Sequence, residues 1–496
     1  PPPFPRRRLA RYLSFPMKPY PLSCGRVAVL TLALGLVSAC AAQSTPAPER
    51  EATRATPVDL VVFGDYVVTL DDARSVIHDG AVAVDEGRIV AVGPSREIRE
   101  KYRAPTMLEG RERVVLPGLV NGHTHAAMSL FRGVADDIEL MDWLTKYMFP
   151  LEVRFADAEF VRIGTELACW EMIRGGTTTF LDMYYFPESV AKAVEGCGLR
   201  ALVAPTVIDQ KSPDATDAAD SLRKAEEFVK RWKGRNNRIV PMISAHALYT
   251  VKPDLLRKIS ARARELGVPM GIHLAESKYE VEHSRQNYGA TPVTVLESVG
   301  FFGGTTIGAH VIYPTPAEIE FLARRRVGAI HNPTSNMKIS SGIAPVTAML
   351  KAGVPVGLGT DGPATNNDLD MWEEMRLAAY LAKVATMDPK VLPAPTVLHM
   401  ATRGGAEAIG LGEEIGALTV GRRADLIQVS LDDPQLKPLY DVISHLVYVA
   451  DASHVVNVVV DGKLVMRDRK VLTLDTARVS SEVAAMAAKI RAEVKE

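Results

Sequence analysis

Val114-Val115-Leu116-Pro117-Gly118-Leu119-Val120-Asn121-Gly122-His123-Thr124-His125 is an apolar run that closes on two histidines. Alternate side chains of a β-strand share a face, so a strand reading makes His123 and His125 project together from its end. Two readings suit such a pair. They are hydrogen-bonded loop residues, or they are half of a metal site, since imidazole is the commonest metal-ligating side chain. Ligands at the ends of other strands would decide between the two.

Working outward, strands alternate with amphipathic helices from Val114 to about Gly412, the pattern of parallel βαβ units. The candidate strands are Val114 to Val120, Thr177 to Leu181, Ala201 to Val207, Ile239 to Ser244, Pro269 to His273, Thr305 to Ala309, Gly328 to Ile330 and Pro355 to Leu358. Helices are predicted between them, among them Ala156 to Arg174, Ala218 to Trp232, Lys252 to Leu266 and Ala344 to Ala352. Eight such units predict an α/β fold of the (β/α)8 TIM-barrel type over residues 116–412. A doubly wound open sheet is the alternative, but the first βα turn carries no Gly-x-Gly-x-x-Gly. Short β-rich runs punctuated by Glu86-Gly87, Gly93-Pro94 and Asp461-Gly462 flank the barrel, so residues 58–115 and 416–470 are expected to combine into a small β-sandwich. Residues 471–496 close the chain with an Ala-rich amphipathic helix.

Composition is that of a globular protein. Of 496 residues, 47% are hydrophobic and 24% charged, and a net charge of −1 gives no reason to invoke nucleic acid. Residues 1–40 read differently. After an upstream stretch, Lys18 and Arg26 precede the apolar run Val27 to Val37, too short to span a bilayer comfortably, and Val37-Ser38-Ala39-Cys40 resembles a bacterial lipobox. The expectation is export with a lipid anchor at Cys40, the only membrane contact, on the periplasmic side; a small buried apolar segment is the alternative and would leave the protein cytoplasmic. Residues 41–57, rich in Ala, Pro and Thr, are expected to form a flexible tether. Of four cysteines, Cys169 and Cys197 remain in the body; their spacing fits no zinc or redox motif and they are expected to be buried thiols. Oligomeric state, including a homo-oligomer, is open.

A TIM barrel carries its active site at the C-terminal strand ends. His123 and His125 end strand one, His246 follows strand four, His273 ends strand five, His310 strand six and His331 strand seven, while Asp361 follows strand eight in Gly359-Thr360-Asp361-Gly362. That convergence favours the metal reading of the opening pair. Together with His273-Leu274-Ala275-Glu276, Gly308-Ala309-His310 and His331-Asn332-Pro333-Thr334-Ser335-Asn336, these pieces resemble the amidohydrolase superfamily from roughly Val58 to Lys470. Within it the chain is most similar to the methylthioadenosine/S-adenosylhomocysteine deaminases, with the s-triazine hydrolases as relatives.

The resemblance implies one divalent metal, zinc or alternatively iron(II), held by His123, His125, His273 and Asp361. Members with two metals carry a bridging lysine on strand four; Ile239 to His246 contains none, which implies a mononuclear site. It further implies hydrolytic deamination, in which water attacks an amino-substituted heterocycle and ammonia leaves. Asp361 would take the proton of water, Glu276 would protonate the ring nitrogen, and His310 would orient the water or stabilise developing charge. A helix-capping or solvated carboxylate is the plain alternative for Glu276. Some triazine chlorohydrolases replace this acid, so its presence favours deamination. The stretch Ala126 to Phe155 reads as a long loop too apolar for disorder. By resemblance its Trp143 packs on the substrate and its Glu152 accepts from ribose hydroxyls, the alternatives being a local core Trp and a surface Glu. His246 and Thr365 are further candidate contacts, and His331 is read as structural. Members that accept S-adenosylhomocysteine carry a basic residue near the end of strand three; Val203-Ala204-Pro205 offers none. Adenosine-like and other amino-heterocycle substrates therefore both stand, beside hydrolysis of another leaving group on a triazine-like ring. A ligand-binding lipoprotein without catalysis is the rival from another class.

Overall fold

A computed structural model describes residues 55–494. The apolar run of the signal-like segment, the lipobox with Cys40, and the tether up to residue 54 lie outside the described residues. Among those described, no helix is long and apolar enough to cross a membrane.

Eight parallel strands follow one hydrogen-bonded path round the barrel. They are Leu119–Thr124, Thr177–Tyr184, Arg200–Val207, a fourth strand in two pieces (Ile239–Pro241 and Ile243–Ala247), Met270–Leu274, Thr306–His310, Gly328–His331 and Val356–Leu358. Seven of the eight lie where the periodicity places them, and the first starts later than expected. The seam between strands eight and one is closed by a side chain: Asn121 Nδ2 donates to Thr360 Oγ1 at 2.8 Å, and Thr360 N–H donates to Asn121 Oδ1 at 3.1 Å. Asn121 therefore latches the last strand to the first, immediately below His123. Val120, Leu181, Leu202, Met242, Ile307 and Ile330 form a buried cluster drawn from strands all round the barrel. A larger core lies among the helices, with Trp232, Trp372, Phe131 and Phe160 fully buried. Burial of such side chains contributes about 1.5–3 kcal/mol each for the smaller apolar ones.

Three sequence expectations are corrected. The run Val114 to Val120 is two strands: Arg113–Pro117 pairs antiparallel with Leu426–Ser430 in the flanking sheet, and Leu119–Thr124 enters the barrel. The break falls at Gly118, where a Cβ would lie 2.1 Å from Thr178 Oγ1. Strand four is interrupted at Met242. The stretch after strand one is helical instead of an open loop: a short 3-10 turn Ala126–Phe131, then nearly continuous helix from Leu140 to Phe155, wound as a wider π-type turn over Trp143–Met148. Such turns recur at functional sites. Its apolar residues seat it over the barrel mouth, with Phe131, Trp143, Leu144 and Met148 all buried.

The two flanking segments form one nine-stranded sheet. The expected sandwich is this sheet folded over on itself, because its far hairpin returns to its middle: Ile89 N–H donates to Arg422 O at 2.9 Å and Ala424 N–H to Gly87 O at 2.9 Å. The closing helix, Thr476–Val494, buries Val479, Met486 and Ile490 and pairs Glu482 with Arg162 of the helix Ala158–Gly175 at 3.0 Å.

Candidate active site

The chain delivers its candidate ligands from the ends of three strands. Asp361 Oδ1 lies 3.3 Å from His123 Nε2 and 3.2 Å from His125 Nε2, and His273 Nε2 lies 3.3 Å from His125 Nε2. Two overlapping sets, His123 with His125 and Asp361, and His123 with His273 and His310, bring their ligand atoms within 4.8 Å of one another.

Whether these residues fit a cation is decided by their lone pairs. His125 Nδ1 faces the Met183 carbonyl at 2.5 Å and His273 Nδ1 faces the His246 carbonyl at 2.8 Å. A carbonyl only accepts, so both rings carry their proton on Nδ1 and turn an Nε2 lone pair to the centre. His123 Nε2 is buried without a hydrogen-bond partner. An orphaned buried acceptor costs about 1–3 kcal/mol, so it is a place for a cation rather than a defect. The set fits one metal.

The charges agree with this. Burial drives the His123 imidazole down to about 4 and His273 well below the ordinary value, with the neighbouring rings adding to the effect on His273. Burial also opposes charge on His125, but Asp361 outweighs it and lifts that ring to about 9, so its Nε2 shares with Asp361 a proton that a bound cation would displace. Burial alone would raise the Asp361 carboxyl, yet the His123 and His125 rings beside it hold it well below the carboxylate range. One buried anion thus faces a crowd of imidazoles that cannot all be protonated.

Proton-handling groups surround the ligands. Glu276 is buried, which raises its carboxyl above the ordinary value. Its Oε1 lies 3.8 Å from His310 Nε2, which in turn is 4.0 Å from Asp361 Oδ2. The far nitrogen of His310 rests against Asn336 Oδ1 at 2.8 Å. Asp361 Oδ2 accepts from Ser335 Oγ at 2.7 Å and Thr365 Oγ1 at 3.0 Å. Ala275 (φ 49°), His310 (φ 71°) and Asp361 (φ 63°) all occupy the left-handed region. Such residues cost about 1–3 kcal/mol each and persist where the surroundings over-determine them. Gly359 makes the approach of strand eight tolerable, since a Cβ there would lie 2.8 Å from the His123 backbone nitrogen.

Trp143, Glu152, His246 and Thr365 all line one cavity with His125, His273, Glu276, His310 and Asp361. Trp143 is buried with its Nε1 unpartnered, and Glu152 is buried instead of on a surface. Burial pushes the Glu152 carboxyl up to about 7, against the pull of Tyr184, Tyr185 and the His125 ring. Burial takes His246 down to about 3, and its Nδ1 meets Thr250 Oγ1 at 2.7 Å. Thr365 lines the wall, but its hydroxyl is spent on Asp361 and on the Gly362 carbonyl. His331 is buried outside that lining, as a structural residue would be.

Sequence reasoning missed Tyr184 and Tyr185, Tyr249, and two residues that hold other site residues, Ser335 and Glu280. The strand-end rule applied to strand two would have found Tyr184 and Tyr185. Ser335 sits inside a quoted motif, but only the fold brings it to Asp361. Glu280 is fully buried and its Oε2 accepts the Glu276 N–H at 2.9 Å.

The amidohydrolase family profile matches residues 114–465, and a bacterial imidazolonepropionase-like composite domain matches residues 80–104. The chain is 46% identical over 433 residues to a 5-methylthioadenosine/S-adenosylhomocysteine deaminase of Syntrophobacter fumaroxidans, covering 87% of this chain and 98% of that protein. It is 43% identical to a 5'-deoxyadenosine deaminase of Methanosarcina mazei, covering 88% and 99%. Among solved structures, an adenosine deaminase from Xanthomonas campestris with bound zinc superposes with a TM-score of 0.86 at 38% identity, over 88% of this chain and all of that one. A triazine hydrolase from Arthrobacter aurescens shares the fold, with a TM-score of 0.78 at 24% identity over 86% and 99%. Matched by the family profile over residues 114–465 and by relatives of 43–46% identity along nearly all of their own length, the chain belongs to the amidohydrolase family.

Proposed function

We propose that the protein is a metal-dependent aminohydrolase that replaces the exocyclic amine of an adenosine-like ring by oxygen and releases ammonia. The observation that carries this reading is the placement of a buried Glu276 beside a convergent three-histidine, one-aspartate ligand set. A divalent metal held by His123, His125, His273 and Asp361, with zinc favoured by the zinc-containing relative, would supply a Lewis acid that makes water acidic near neutral pH.

The chain's own groups do the rest. Asp361 accepts the proton of the attacking water on Oδ2, the oxygen that Ser335 and Thr365 hold in place. Glu276, whose carboxyl burial shifts toward the protonated form, donates to the ring nitrogen next to the attacked carbon, so that the ring can take up the incoming electron pair. His310 stands between the two carboxyls and stabilises charge as it moves across. Trp143, Phe149 and Leu144 offer the flat apolar wall a heterocycle packs on, and Glu152 offers acceptors to sugar hydroxyls. Among the described residues no lysine or arginine lines the cavity, which favours substrates without a carboxylate tail.

Ammonia release from adenosine, 5'-deoxyadenosine, methylthioadenosine, S-adenosylhomocysteine, guanine and melamine-type rings tests the proposal. Turnover of an adenosine-type substrate is expected, with S-adenosylhomocysteine the poorest of that group. Ammonia from none of them overturns it. We also propose export and lipidation at Cys40, supported by the charge, length and small residues of positions 17–40. Processing blocked by globomycin is the expected result, and processing indifferent to it removes the lipobox reading.

A further inference from the structure

Cys169 lies on the helix Ala158–Gly175, and Cys197 is the last residue of the helix Pro187–Cys197. The two are 28 positions apart, on the helices either side of strand two, yet their Sγ atoms are 2.8 Å apart and both side chains are completely buried. A disulfide needs about 2.03–2.05 Å between sulfurs, so the pair closes with a movement of less than about 1 Å. No metal explains the approach: neither cysteine belongs to a metal-capable cluster among the described residues. The end of the second helix is itself held, because Thr473 Oγ1 donates to the Cys197 carbonyl at 2.5 Å.

We propose that Cys169 and Cys197 form a structural disulfide when the protein folds in an oxidising compartment. The inference rests on the reading of positions 17–40 as an export signal, since cytosolic thiols stay reduced. Each thiol gives up its hydrogen, the S–S bond forms, and two electrons and two protons pass to the disulfide of a thiol–disulfide oxidant, which is cleaved to two thiols. Burial leaves the folded pair inaccessible and raises the Cys169 thiol, so exchange is slow once the helices are packed. The bond therefore forms while the helix Pro187–Cys197 is still docking, and reductants reach it poorly afterwards. Its place is functional by proximity. The cross-link staples the two helices that flank Thr177–Tyr184, the strand that carries the Met183 carbonyl facing His125 and the Tyr184 ring of the cavity wall.

The test recovers the full chain from the periplasm in two forms, one behind its own first forty residues and one behind a foreign secretion signal. Each is denatured, alkylated without reduction, digested and weighed. The expected result is one species joining the Cys169 and Cys197 peptides, unalkylated and two hydrogens lighter than the reduced pair. Its thermal midpoint should fall by several degrees on reduction, a shift absent from the C169A/C197A double variant. Alkylation of both cysteines in the protein exported by the foreign signal overturns the proposal. Linked peptides behind the foreign signal alone keep the disulfide and overturn the export reading instead.

Discussion

At the C-terminal ends of the barrel strands, Asp361 faces His123 and His125, one buried imidazole nitrogen has no partner, and three residues of the site stand in left-handed backbone. At the opposite end, Arg200 opens strand three and each nitrogen of its guanidinium has an acceptor: Nε and Nη2 donate to the two oxygens of Asp425 at 2.7 and 3.1 Å, and Nη1 to the Asn237 carbonyl at 2.8 Å. Asp425 also accepts the Asp461 N–H at 2.7 Å, and Asp461 takes Arg423 at 3.1 Å. Both clusters are buried and charged. The lower one closes on itself and joins the barrel to the flanking sheet, while the upper one is left open to something it does not contain. Unmet hydrogen-bonding capacity and strain mark the working end of a barrel, and satisfied charge marks the end that holds it together.

The difference can be broken at either end. Stripping divalent metal with a chelator should abolish ammonia release and lower the thermal midpoint, and zinc should restore both; retained turnover in protein shown metal-free by elemental analysis contradicts the open-site reading. Glu276→Gln should cut kcat by about 10²–10⁴ with metal content unchanged. An undiminished kcat would take the proton donor's role away from Glu276. Arg200→Ala should act in the opposite sense, costing about 3–5 kcal/mol of stability by leaving Asp425 buried and unpaired, with kcat of the folded fraction unchanged. Denaturant titration beside steady-state kinetics reads the two effects separately.

Smaller effects sharpen the comparison. Burial pushes the Glu280 carboxyl from 4.5 up to about 8. The folded state therefore keeps a proton that the unfolded chain releases, so this group makes stability fall as pH rises from 4.5 to about 8. Glu280→Gln, which cannot ionise, should flatten that part of the stability profile; an unaltered profile would show that Glu280 is not the group responsible. Thr365→Val removes one charge-assisted bond from Asp361 Oδ2 and should lower kcat/KM by about 10-fold, with little effect on stability. A loss in KM alone would instead return Thr365 to the role of substrate contact.

Much of this was legible in the chain. Strands of period two and helices of period 3.6 are local properties, so seven of the eight barrel strands lie where the pattern puts them, and a histidine or aspartate at a strand's C-terminal end needs only the barrel's polarity to become a candidate ligand. His123, His125, His273, His310 and Asp361 were found this way, and Glu276 through the family resemblance of the motif around it. The failures share a cause. The break at Gly118 depends on Thr178 of a neighbouring strand, the helical path of residues 126–155 on what lies beneath it, and the spending of Thr365's hydroxyl on a carboxylate reached only through a tight turn.

Residue type and spacing along one dimension therefore determined which groups this protein owns and the side of the barrel on which they stand. The tertiary structure alone decided which atoms meet: the carbonyls that set two histidine tautomers, the serine behind Asp361, the tyrosines of the wall, and two sulfurs 28 residues apart in sequence and 2.8 Å apart in space. Hydrogen bonds and contacts act over a few ångströms, and a distance of that size between remote residues is written nowhere in the order of the chain.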